Sequence, residues 1–156
     1  MRELTEAQKS YMAGFLDGDG NISIEGARIG AKHQSWALSI CYYNCNIEVL
    51  EKIQSWLGTG SIYERKRTSK WRINYRLKVR GVSARDVLAE IFPYLIVKRE
   101  QASVAMEFAK TFTKYNYSGS SWQGGRKLTE ITIKKRNKLK DRLHELTLTA
   151  NYVGRK

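Results

Sequence analysis

Tyr11-Met12-Ala13-Gly14-Phe15-Leu16-Asp17-Gly18-Asp19-Gly20 is the stretch whose reading decides the fold. It begins as an amphipathic helix and ends in two carboxylates interleaved with glycines. Gly14 and Gly18 stand four residues apart, on one helix face. A glycine inside a helix costs about 1 kcal/mol relative to alanine, so two of them need a reason. Close approach of a second helix is such a reason. If two copies meet across a two-fold axis, their Asp19 carboxylates emerge side by side at helix C-termini, where partial charge is already negative. Adjacent carboxylates repel, and divalent cations relieve that repulsion. Carboxylate, carbonyl and water oxygens suit Mg²⁺. By itself the stretch reads equally well as an Asp-Gly-Asp-Gly turn between helix and strand, with no metal.

Working outward, Thr5-Glu6-Ala7-Gln8 forms a capping box that opens the motif helix. Ile22-Ser23-Ile24-Glu25 alternates, and Trp36 to Tyr42 continues in strand style, predicting an antiparallel pair. Asn46 caps a second helix with an Ile47, Leu50, Ile53, Leu57 stripe, ended by Gly58. Strands follow at Ser61 to Arg67 and Lys70 to Arg80. Ser83 is expected to cap a third helix, Ala84 to Phe92, closed by Pro93. Helices are also expected over Val97 to Phe112 and Leu128 to Leu146, the last with Ile131, Leu139, Leu143 and Leu146 inward and a Lys/Arg face outward. Tyr115 to Gly125 reads as a loop. The order is αββαββα with extra C-terminal helix: one α+β domain over residues 1–146, with 147–156 as a frayed tail.

The 156-residue chain carries 28 Lys and Arg against 15 Asp and Glu, a formal net charge of +13. That excess points to nucleic acid as the partner, since phosphate neutralisation dominates such binding. No apolar run reaches the roughly 20 residues needed to span a bilayer, and no signal-peptide core is present. Cys41 and Cys45 lack zinc-ribbon spacing and read as reduced thiols, so an intracellular setting is expected, prokaryotic cytoplasm or an organelle.

The strand Lys70 to Arg80 is the cleanest pattern. Trp71, Ile73, Tyr75, Leu77 and Val79 share one face; Lys70, Arg72, Asn74, Arg76, Lys78 and Arg80 share the other, without an acid among them. Ser61, Tyr63, Arg65 and Arg67 occupy the same face of the neighbouring strand. A twisted antiparallel ribbon fits the DNA major groove, where Arg and Asn meet base edges bidentately.

Met12 to Gly20, followed by Asn21-Ile22 and a basic alternating sheet, resembles the signature of LAGLIDADG homing endonucleases, with Met12 in place of the usual Leu. The resemblance covers residues 5 to about 115. It implies a saddle-shaped antiparallel sheet over DNA, helices on its back, and double-strand cleavage of a long site in intron homing. It also implies that the motif helices form the interface between two halves, here Met12, Ala13, Gly14, Phe15 and Gly18. Asp19 would bind catalytic Mg²⁺ or Mn²⁺ with the Gly18 carbonyl, while Asp17 is structural. Lys98, in Pro93-Tyr94-Leu95-Ile96-Val97-Lys98, matches the family's active-site lysine. For the residue that orders the water network, Asn44 is the best match, with Tyr42 as the alternative. The motif occurs once, so the resemblance implies a C₂ homodimer and a near-palindromic double-stranded DNA site. The rival readings are an RNA-binding intron maturase, served by the basic helix from Lys134 to Arg142, and a non-cleaving DNA-binding regulator.

If the sheet reads bases, Arg72→Ala and Arg76→Ala should each cost about 1–3 kcal/mol at one base pair. Binding across a set of singly substituted sites checks this; an equal loss on every sequence would make both residues phosphate contacts.

Overall fold

A computed structural model describes residues 3–26, 36–65, 73–112 and 129–152, with side chains to Thr149. Arg67, Lys70, Arg72 and the expected 115–125 loop lie outside the described residues. Helix α1 (Glu6–Asp19) opens with the capping box in place: Thr5 and Gln8 exchange backbone-to-side-chain bonds at 3.0 and 3.2 Å. Strand β1 (Gly20–Glu25) follows α1 with no connecting residue. That handover requires glycine at Gly20, where a Cβ would stand 2.6 Å from the Leu16 carbonyl oxygen.

Strands β2 (Ala37–Asn44), β3 (Ser61–Arg65) and β4 (Asn74–Arg80) complete a four-stranded antiparallel sheet in the order β1-β2-β4-β3. Helix α2 (Ile47–Leu57), capped by Asn46 and closed by Gly58 in the left-handed region (φ 63°), joins β2 to β3. Helix α3 (Gly81–Ile91) leaves β4 directly, and α4 (Arg99–Ala109) and α5 (Glu130–Tyr152) follow. The core forms between one sheet face (Leu38, Ile40, Tyr42, Leu77, Val79) and the apolar stripes of the helices, including Met12, Leu16, Leu50, Ile53, Leu88 and Phe108. The opposite sheet face carries no helix among the described residues. This is the expected α+β, αββαββα arrangement with helices behind an antiparallel sheet.

Several boundaries differ from expectation. Helix α3 starts at Gly81 rather than Ala84, because Gly81 (φ 64°) turns the chain straight out of β4, and its cap position, Arg80, makes no side-chain capping bond. Helix α4 starts at Arg99 rather than Val97, because residues 96–98 form a turn whose amides bond elsewhere. Helix α5 runs to Tyr152, past the expected end at Leu146, with Thr147 and Thr149 donating their hydroxyls to the Leu143 and Glu145 carbonyls. Ile131, expected inward, is 81% exposed. Arg136, expected on the basic outer face, is buried: it donates to the Thr111 hydroxyl (2.9 Å) and carbonyl (2.7 Å) and lies beside Trp36 and Phe108. No described helix is long and apolar enough to cross a membrane.

Tyr42 is fully buried and its hydroxyl has no hydrogen-bond partner among the described residues. Burial pushes the phenol well above the usual tyrosine range. An unsatisfied buried group costs roughly 1–3 kcal/mol, so Tyr42→Phe should raise stability by about 1 kcal/mol, with a higher urea midpoint and unchanged m. The unfolded phenol ionises near pH 10.0 while the folded one stays protonated, so the Tyr42 contribution falls as pH rises through 10.0. The advantage of the Phe variant should therefore widen in alkali. A lower midpoint for the variant would contradict this account.

Candidate functional site

Two helix ends meet at the motif and exchange charges. The C-terminus of α1 holds Asp17 and Asp19, acids at the negative end of a helix dipole, with no basic residue in its last turn. The cap of α4 is Lys98, a cation at the positive end. Each helix end supplies what the other lacks. The Asp17 carboxylate accepts three backbone N–H bonds from the turn that opens α4: Ile96 at 2.7 Å, Val97 at 3.1 Å and Lys98 at 2.8 Å. The Lys98 ammonium donates in return to the Asp17 backbone carbonyl. Burial lowers the pKa of half-buried Lys98, and the Asp17 and Asp19 carboxylates oppose that shift. Asp17 is thus a brace for the lysine turn, and the Lys98 ammonium is held at the last turn of the motif helix.

Asp19 and Gly18 are exposed at the end of α1. The helix stops at Asp19, so the Gly18 carbonyl has no following helical turn to donate to it. One carboxylate and one carbonyl per protomer form an all-oxygen donor set that fits a hard divalent cation. Among the described residues no group of three or more His, Cys, Asp or Glu could hold a metal, so the set is partial in a single protomer. Asn44 is part-exposed at the end of β2, and its side-chain oxygen accepts from the Asn46 amide at 2.8 Å, which leaves its NH₂ donors. Tyr42, the alternative for that role, is sealed in the core.

The motif helix presents a different outer face from the one expected. Met12 and Ala13 are fully buried inside the protomer, because they form the stripe packed on the sheet, and they are not available to a partner. The open face carries Tyr11, Gly14, Gly18 and part of Phe15. A Cβ on Gly14 or Gly18 would meet nothing within 4 Å, so nothing described in the protomer requires glycine at either position. Ile96 and Val97, 85% and 66% exposed, stand on the turn that Asp17 braces. Sequence reading passed over this apolar pair because exposure in a short turn has no periodic signature.

On the helix-free sheet face, Ser61, Tyr63 and Arg65 of β3 sit opposite Lys78, Arg76 and Asn74 of β4, with Arg80 at the far end. Tyrosines steady the guanidinium groups: Arg76 lies 5.3 Å from the Tyr63 ring centroid and Arg65 5.6 Å from that of Tyr43. Asn74 Oδ1 and Arg76 Nε are buried without a hydrogen-bond partner among the described residues, leaving unused polar capacity on this face. Glu25 also belongs here. It pairs with Lys78, and with Arg80 at 3.0 Å. The alternation of β1 could have placed it on this face, but its partners are two strands away.

The family described as LAGLIDADG endonuclease matches residues 12–96 of the chain. Among solved structures, the archaeal intron-encoded homing endonuclease I-Vdi141I, complexed with DNA, is 21% identical at a TM-score of 0.70, over 90% of this chain and 84% of that one. The homing endonuclease I-CvuI, in complex with the I-CreI target and magnesium, is 23% identical at 0.69, over 90% and 82%. The homing endonuclease I-TnaI is 15% identical at 0.61, over 95% and 99%. At these identities the likeness is one of fold. Comparison with curated protein sequences returned no match. With the family match spanning more than half of its residues, over the motif helix, the sheet and the turn before Lys98, the chain belongs to the LAGLIDADG endonuclease family.

Proposed function

We propose that the chain is a site-specific endonuclease that cuts both strands of a near-palindromic DNA site as a homodimer, using Mg²⁺ or Mn²⁺. The observation that carries this reading is the Asp17 brace, which fixes the Lys98 turn and its ammonium at the end of the motif helix where the Asp19 carboxylate is exposed. Asp19 and the Gly18 carbonyl would hold the cation. A divalent ion bound there supplies charge neutralisation and water activation for in-line displacement at phosphorus. Lys98 stabilises charge developing on the scissile phosphate or orders the attacking water. The Asn44 NH₂ group donates to that water network. The helix-free sheet face lies in the major groove, with Asn74 and Arg76 meeting base edges and Arg65 and Tyr63 flanking them. Relatives of the same fold bound to DNA, with magnesium in one case and calcium in another, support this reading.

The homodimer rests on the motif glycines. Each costs helix stability, and neither has a reason within the described protomer. A second copy of α1 laid on Gly14 and Gly18 provides one and brings two half-sites together. Tyr11, Ile96 and Val97 then lie at the rim of the contact.

Asp19→Asn should abolish cleavage of a selected site in Mg²⁺ while leaving DNA affinity within a few-fold of wild type. Cleavage that persists would remove Asp19 from the chemistry, and binding of RNA without any DNA cutting would favour the maturase reading. Gly14→Leu should leave the protomer folded, because the space there is open, yet give a monomer by sedimentation and no double-strand cutting. A Gly14→Leu protein that remains a dimer would move the seam elsewhere.

A further inference from the structure

We propose that Glu25 sets DNA specificity by holding Lys78 and Arg80 away from the phosphates, so that they serve base reading instead of unspecific binding. This rests on the reading of the sheet as a DNA-facing surface. Among the described residues, Glu25 is the one acid on a face that otherwise carries Arg65, Arg76, Lys78 and Arg80. The strand order puts β2 between Glu25 and its partners. Lys78 stands opposite Cys41, Arg80 stands opposite Ser39, and Glu25 stands opposite Ala37. Both cations therefore cross β2 to reach the carboxylate. They can do so because the intervening side chains, Ser39 and Cys41, are small.

The two carboxylate oxygens are divided, Oε1 to Lys78 and Oε2 to Arg80 at 3.0 Å. Lys78 retains only 15% side-chain exposure in this arrangement. The trio carries one net positive charge where two free cations would carry two. Part-exposed ion pairs contribute little to stability, so stability does not account for an acid placed here. A carboxylate between two cations opposes phosphate approach on any sequence. It also fixes their heads, which favours the few base patterns that match them over the sequence-independent backbone.

The test compares wild type with Glu25→Gln on two probes, a random-sequence duplex and a duplex selected by wild type from a randomised library. Freeing two cations per protomer should steepen the slope of log affinity against log salt on the random duplex by up to about 1.8 per protomer, roughly a tenfold larger loss between 50 and 200 mM salt. Random-duplex affinity at low salt should rise, and discrimination between the probes should fall by about tenfold. Adding Lys78→Gln to Glu25→Gln should bring the slope back toward wild type. An unchanged slope, or unchanged discrimination, would overturn the proposal, as would a variant whose only change is a lower melting temperature. The slope on random DNA needs no target. If wild type selects no site, the endonuclease reading fails, and the slope still decides whether Glu25 restrains the two cations.

Discussion

The Asp17 carboxylate, bonded to three successive amides of the 96–98 turn, is the interaction on which the site depends. It joins segments 79 to 81 residues apart in the chain. Without it, the motif helix would end in two acids with no basic residue in its last turn, and the amides of the 96–98 turn would lose their acceptor. With it, the acid at one helix end caps the other, and the lysine returns a bond to the first. The exchange stabilises both ends, and it fixes the Lys98 cation at the end of the motif helix, where Asp19 is exposed. The proposed function thereby divides two roles between two aspartates of one motif, the brace for Asp17 and the metal ligand for Asp19.

The three motif glycines and the one alanine divide in a similar way. Ala13 is buried against the sheet, where a larger side chain would not fit the packed stripe. Gly20 allows the chain to pass from helix to strand against Leu16. Gly14 and Gly18 face open space, so nothing described in the chain offsets their cost; the proposed helix contact would. In the proposed homodimer each chain would bring one Asp19 carboxylate and one Gly18 carbonyl, a donor set that the two-fold axis would double.

Much of the fold was legible because its signals are local. The Thr5 capping box, the Asn46 and Gly58 caps and the alternation from Asn74 to Arg80 each have a short-range physical cause, and each stands where the pattern put it. What was not legible depends on tertiary partners. The start of α4 slips from Val97 to Arg99 because Asp17, far away in sequence, takes the amides of the turn. Arg136 reads as surface charge but inserts between Thr111, Trp36 and Phe108. Met12 and Ala13 read as seam residues because the motif suggested one helix face, whereas the sheet claims them. Asp19 was legible in the motif's own chemistry and Lys98 came from resemblance; the Asp17 brace that fixes the lysine turn needed the structure.

The measurement that tests this account most directly is single-turnover cleavage by Asp17→Ala at saturating DNA. The account predicts at least a hundredfold slower cleavage, about 2.7 kcal/mol in the barrier, with DNA affinity preserved and faster amide exchange confined to residues 96–98. Wild-type cleavage by a folded Asp17→Ala protein would contradict it, because Lys98 and Asp19 would then be positioned without the brace.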